Sequence, residues 1–147
     1  MIYLKSITRL RLVLDTNIII SALISKKSTI RDILLTDKIT FYLPELVLIE
    51  LLKHKQLLCK KTGLSQKEVF FTLFYLLNKV EIIKKDAFSK NLEKAKNIME
   101  KIDLKDSEFV ALALSIKNDG IFSNDGHFDN CGIKRWTVEE IIRWLEY

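Results

Sequence analysis

The 147-residue sequence has two cysteines, two histidines, one proline and four glycines, and each scarcity narrows what the chain can be. Cys59 and Cys131 stand far apart and outside any metal-ligand spacing, so free thiols in a reducing compartment are expected rather than a disulfide framework or a thiolate zinc site. No internal repeat, low-complexity segment or linker is present, which predicts one domain, large enough to bury roughly two-thirds of its chain surface. Long apolar runs are missing too: each is cut by a charge or ends short of a bilayer's thickness, so no membrane span is expected. Near the N-terminus Lys5, Arg9 and Arg11 interrupt the apolar residues. That leaves no signal-peptide core and predicts a cytoplasmic chain.

What is present is apolar and basic. Hydrophobic residues make up 48% and charged residues 29%, and the net charge of +5 comes with lysine outnumbering arginine 19 to 5. Such basicity permits polyanion binding without requiring it. The organising stretch is Leu12-Val13-Leu14-Asp15-Thr16-Asn17-Ile18-Ile19-Ile20, in which one carboxylate separates two apolar runs. The first run suits a short buried parallel strand, and the second reads as the start of a buried helix. A carboxylate between two buried elements is costly unless something pairs with it. Asp15 can cap the helix that follows. At a strand-to-helix junction it can instead point into the crevice beyond the carboxyl ends of the strands, where α/β folds bind ligands.

Residues 1–10 read as a lead-in and residues 11–147 as the domain. Strands are expected at 12–14, 39–43, 80–84, 121–123 and 133–136. Between them lie helices at 17–24, from Ser28 or Thr29 to about 36, over 44–60, from Ser65 onward, over 88–102, and from Asp106 or Ser107 to 116. A last helix follows Thr137. Ser65 with Glu68 and Thr137 with Glu140 are capping boxes, and Pro44 suits the first position of its helix. Three further carboxylates stand out. Glu50 lies within Leu46-Val47-Leu48-Ile49-Glu50-Leu51-Leu52. A helix apolar on nearly every side is buried, so Glu50 needs an arginine, a proton or a metal, unless it turns to solvent along a thin stripe with Lys53 and either Gln56 or His54. Asp106 precedes Phe109-Val110-Ala111-Leu112-Ala113-Leu114, where it or Ser107 can serve as a cap. Asp125 sits in Asn124-Asp125-Gly126, which is also a generic turn.

Alternating strands and helices predict a parallel sheet covered by helices on both faces. Asp15 and Asp125 each follow a strand, which puts both at the carboxyl edge. The helix behind Asp106 must begin at that edge to run back down to the fourth strand. Glu50, about 9 Å along its helix from Pro44 at ~1.5 Å per residue, must lean over the same edge to join them. Four converging carboxylates raise one another's pKa unless a cation is present. Oxygen donors without nearby cysteine or clustered histidine favour Mg²⁺ or Mn²⁺ over zinc. Such ions suit phosphoryl chemistry, because they generate hydroxide from water, hold the scissile phosphate and stabilise the leaving oxygen.

With Asp15-Thr16-Asn17 after an apolar strand, Glu50 in an apolar helix, Asp106 before its apolar helix, and Ser123-Asn124-Asp125, the chain resembles a PIN-domain nuclease from Arg11 to Tyr147. The four motifs in this order and spacing are specific. The segment Glu50–Gly63, with Lys53-His54-Lys55, and the following Leu64-Ser65 resemble a subgroup common in prokaryotic, especially archaeal, genomes. The resemblance implies a three-layer α/β/α fold with a five-stranded parallel sheet in the order 3-2-1-4-5. It also implies metal-dependent cleavage of single-stranded RNA by an endoribonuclease. Asp15, Glu50, Asp106 and Asp125 would be its catalytic residues and the ligands of Mg²⁺ or Mn²⁺, with Asn17 and Ser123 supporting the site and Asp103 or Asp129 contributing through water. Many relatives are VapC-type toxins silenced by an antitoxin that inserts a basic residue into the acidic pocket, so an antitoxin is an expected partner.

Lys53, His54 and Lys55 begin one turn after Glu50 and are expected at the rim of the RNA groove, with His54 alternatively donating a hydrogen bond to an acidic ligand. In the helix from Ser65, residues such as Val69, Phe70, Leu73 and Phe74 make the core face, and Phe71 and Tyr75 lie off it. A homodimer covers such aromatic surface. Two other readings fit parts of the pattern. A non-catalytic RNA- or protein-binding module would keep the fold, but has no reason to keep the repulsion of a complete acidic set. A Mg²⁺-dependent phosphatase of the aspartyl-phosphate type carries Asp-x-Asp after its first strand, where this chain has Asp15-Thr16-Asn17.

Overall fold

In the computed structural model, which describes residues 9–25 and 29–146, β1 (Leu10–Leu14) lies in the middle of a five-stranded, all-parallel sheet. Leu12, Val13 and Leu14 have no solvent exposure, as a strand covered on both faces requires. β2 (Ile39–Pro44) pairs with one side of β1, with Phe41 opposite Leu12. β4 (Ile121–Phe122) pairs with the other side, with Phe122 opposite Leu14. β3 (Glu81–Ile83) and β5 (Arg135–Trp136) form the edges, so the order is β3-β2-β1-β4-β5. The strand order reverses between β1 and β4, and the carboxyl ends of these two strands form the switch-point crevice.

The helices are α1 (Thr16–Ile24), α2 (Thr29–Leu35), α3 (Glu45–Lys53), α4 (Lys55–Thr62), α5 (Gln66–Leu76), α6 (Leu92–Met99), α7 (Ser107–Ser115) and α8 (Val138–Leu145). α1 packs with α2, α4 and α5, whereas α7 packs with α6 and lies against β1 and β2, which makes the α/β/α layering. Both capping boxes form: Ser65 and Glu68 satisfy each other's amides, and Thr137 and Glu140 do the same. β4 and β5 are joined without an α-helix and approach closely. At Gly120, with φ +137°, a Cβ would lie 2.3 Å from the Lys134 carbonyl oxygen, so only glycine fits there. Among the described residues no helix is long and apolar enough to cross a membrane.

Several local expectations are corrected by packing. The helix expected over 44–60 is two helices, with His54 between them at φ −97° and ψ 26°. Pro44 closes β2 and stands as the N-cap of α3 rather than its first helical residue. α3 buries Val47 and Leu51, a single stripe four residues apart, so Glu50 falls off the stripe and is exposed. α5 buries Val69, Leu73 and Leu76. Phe74, expected among them, is 53% exposed beside Phe71 at 76% and Tyr75 at 59%. The stretch over 88–102 is α-helical only as α6, and two 3₁₀ turns, Lys85–Ala87 and Ser89–Asn91, precede it. Of the lead-in, residues 1–8 lie outside the described residues, as does Ser28, and Leu10 already belongs to β1.

Candidate active site

Asp15 follows β1 directly and is buried. Its main chain begins α1, its carbonyl accepting from the Ile18 amide, yet its side chain makes no capping hydrogen bond. Ser123 Oγ donates to Asp15 Oδ2 across 2.6 Å instead. The same hydroxyl accepts from the Asp125 amide at 2.9 Å, so one buried serine ties Asp15 to the loop that carries Asp125. Burial pushes the Asp15 carboxyl up. The Ser123 hydroxyl and the nearby amides of Asn17 and Thr16 offset only part of this, and the charge of Asp125 adds to it.

Asp106 stands at the head of α7, also without a capping bond from its side chain. Burial raises its carboxyl to about 6, with the charges of Asp15, Asp103 and Asp125 acting in the same direction and His127 against it. An aromatic pair brings α7 and the β4–β5 loop together. Phe109 in the first turn of α7 and the fully buried Phe128 meet edge to face, with ring centroids 6.2 Å apart and planes at 89°. Such a pair adds to the burial of two large rings. Each aspartate stands three residues before its ring, so packing in the core sets the spacing of Asp106 and Asp125. Asp103 caps the 3₁₀ turn Leu104–Asp106, accepting from the Lys105 amide at 3.0 Å.

His127 was not singled out by the sequence pattern, although it lies two residues beyond Asp125. Its Nδ1 is 3.1 Å from Asp125 Oδ2, 3.5 Å from Asp106 Oδ2 and 3.9 Å from Asp103 Oδ2. Asp129 stands apart from this cluster and pairs with Arg135, whose Nε donates to its Oδ1 at 2.6 Å.

Asp15, Asn17, Glu50 and Asp106 line a cleft of about 660 Å³. Glu50 reaches the cleft from α3. Its charge is felt by Glu108, another residue of the cleft, whose carboxyl is raised first by burial and further by Glu50. Of the four carboxylates expected together, Asp15, Asp106 and Asp125 feel one another's charge, and Glu50 shares the cleft with Asp15 and Asp106. Lys53 and His54 line the cleft. Lys55 does not, because α3 stops at Lys53 and the chain restarts there as α4. Lys61 and Lys105, which no local motif marked, stand along it instead.

The elements that bring these aspartates together follow one another in a pattern found in a known family, and a family model described as PIN domain matches residues 13–146. The chain belongs to the PIN-domain family. No curated protein matches it. PIN domains are generally nucleases, and PIN nucleases use divalent metals. The donor set of this PIN domain suits such an ion. Asp15 and Asp106 resist ionisation through burial and like charge, a strain that a bound cation would remove. Ser107, joined to Asp106, carries the one buried side-chain oxygen among the described residues that lacks a hydrogen-bond partner.

Proposed function

We propose that this PIN domain is a Mg²⁺- or Mn²⁺-dependent endoribonuclease that hydrolyses phosphodiester bonds of single-stranded RNA. The observation that carries this reading is the meeting of Asp15, Asp106 and Asp125 beside a cleft whose walls bear lysines. Those three aspartates would hold the cation, with Asp103 adjacent and Glu50 in the same cleft. When bound, the ion supplies water of lowered pKa and neutralises charge on the phosphate. The remaining work falls to the chain's own groups. Ser123 fixes the orientation of Asp15 and, through the Asp125 amide, the loop behind it. Lys53, Lys61 and Lys105 attract backbone phosphates along the cleft. Ile49 and Leu57 line the same cleft and are 39% and 49% exposed, offering apolar surface to unstacked bases that a duplex cannot present. A non-catalytic module fits less well, because the mutual repulsion of the aspartates would then cost stability for no return.

Purified protein incubated with mixed-sequence single-stranded RNA and Mn²⁺ is expected to cleave it, chelator to stop the reaction, and the matching duplex to resist. Intact RNA with both Mg²⁺ and Mn²⁺ would reject the reading.

In this reading the protein also pairs with itself. Phe71, Phe74 and Tyr75 form an i, i+3, i+4 stripe on α5, and all three are exposed. Each ring can bury roughly 150–250 Å². Two copies bring six rings, enough to seed a symmetric interface of roughly 1,200–2,000 Å². The double variant Phe71→Lys/Tyr75→Lys is expected to sediment as a monomer and the wild type as a dimer. Identical sedimentation of the two would remove this face from any dimer.

A further inference from the structure

We propose that His127, acting with Asp103 and Asp106, is a nitrogen ligand of the cation centre and turns its preference from Mg²⁺ toward Mn²⁺ and the later first-row ions. This rests on the reading of the aspartate cluster as a divalent-cation centre. Donor atoms around one six-coordinate ion, each roughly 2.1 Å from it, lie roughly 3.0 Å apart when adjacent and roughly 4.2 Å apart when opposite. The separations of His127 Nδ1 from the oxygens of Asp125, Asp106 and Asp103, at 3.1, 3.5 and 3.9 Å, fall between these limits. One donor atom each from Asp103, Asp106 and His127 also lie within 4.8 Å of one another.

About half of the His127 side chain is exposed, and its backbone is anchored. The His127 amide donates to Asp125 Oδ1 at 2.9 Å, and the next residue is the fully buried Phe128. Ser107 Oγ, buried and unpaired beside Asp106, adds a polar group that the protein alone does not satisfy. With its proton on Nε2, the neutral ring presents a lone pair at Nδ1. Mg²⁺ takes oxygen donors almost exclusively. Imidazole suits transition metals, whose affinities rise from Mn²⁺ through Co²⁺ to Ni²⁺. A single nitrogen among carboxylates therefore affects these ions unequally, which a purely structural histidine would not.

The test uses the metal-free full chain titrated with MgCl₂, MnCl₂ and CoCl₂, with binding read from thermal unfolding and, for Mn²⁺, from water-proton relaxation. His127→Ala is expected to weaken Mn²⁺ and Co²⁺ binding on the order of tenfold to a hundredfold, and Mg²⁺ binding by less than about threefold. His127→Asn puts an amide oxygen at similar reach and keeps a donor toward Asp125. It is expected to bind Mn²⁺ better than the alanine variant and still to lose the preference for Co²⁺ over Mg²⁺, and it carries the comparison if the alanine variant does not fold. Wild-type Mn²⁺-to-Mg²⁺ and Co²⁺-to-Mg²⁺ affinity ratios in the variants would overturn the proposal while leaving the aspartate centre standing. Absence of binding of all three ions by the wild type would overturn both.

Discussion

Asp15→Asn is expected to fold, to melt no lower than the wild type in chelator, and to cleave single-stranded RNA at least about a hundredfold more slowly. That is the scale of losing one preorganised electrostatic contact in a water-excluded site. The asparagine keeps the size of Asp15 and can still accept the bond from Ser123 Oγ, so the link between β1 and the β4–β5 loop survives. What disappears is a buried negative charge whose carboxyl is already held above its usual range. Asp125→Asn should lose cleavage to a similar degree, because Asp125 shares the Ser123 hydroxyl and the charge cluster. Single-turnover rates at saturating Mn²⁺, measured beside unfolding curves, separate lost chemistry from lost fold. Rates within a few-fold of the wild type in both variants would place the active site elsewhere.

The second large effect is on stability. The Asp106 carboxyl is raised from 3.8 to about 6 by burial and by its acidic neighbours. Between about pH 4 and pH 6 the folded chain therefore keeps a proton that the unfolded chain has released, and stability falls as pH rises through that window. The favourable contribution is complete below about pH 4 and gone above about pH 6. At about 1.4 kcal/mol per pKa unit the loss reaches about 2–3 kcal/mol. For a chain of this size that is about 5–10 °C in melting temperature. In chelator, then, Asp106→Asn should melt above the wild type at pH 7, with the difference closing by pH 4. Added Mn²⁺ should reverse the ranking. At a hundredfold excess over its dissociation constant a site-bound ion stabilises by about 2.7 kcal/mol, and the variant should lose most of this gain. Equal Mn²⁺ shifts in the two proteins would remove Asp106 from the cation centre.

What the sequence made legible was local. A carboxylate between two apolar runs marked Asp15, and the capping boxes at Ser65 and Thr137 declared themselves because both partners lie within four residues. Strand and helix alternation was enough for a parallel sheet. Burial along a helix was harder to read, since the pattern tells which residues are apolar and not which side has a neighbour. Phe74 was misplaced for that reason, and Glu50 had two open readings, of which the exposed one is found: α3 meets the core along Val47 and Leu51, and α5 along Val69, Leu73 and Leu76. The break at His54 carries neither glycine nor proline and leaves no mark in composition. His127, Lys61 and Lys105 matter through juxtaposition across the fold, which no window of sequence contains.

The hydrogen bond from Ser123 to Asp15 joins residues 108 positions apart, and it can form only after β4 has docked beside β1. The two strands cannot pair until β4 has been made, because β2, β3 and seven intervening α-helices are synthesised between them. Long-range parallel pairing of this kind is slow to form. A nascent chain that has exposed Asp15, Glu50 and Asp106 still lacks the loop that positions Asp125. If the protein cuts RNA, its own messenger and the ribosome are within reach throughout synthesis, and the order of the strands defers activity until β4 and the loop behind it have been made.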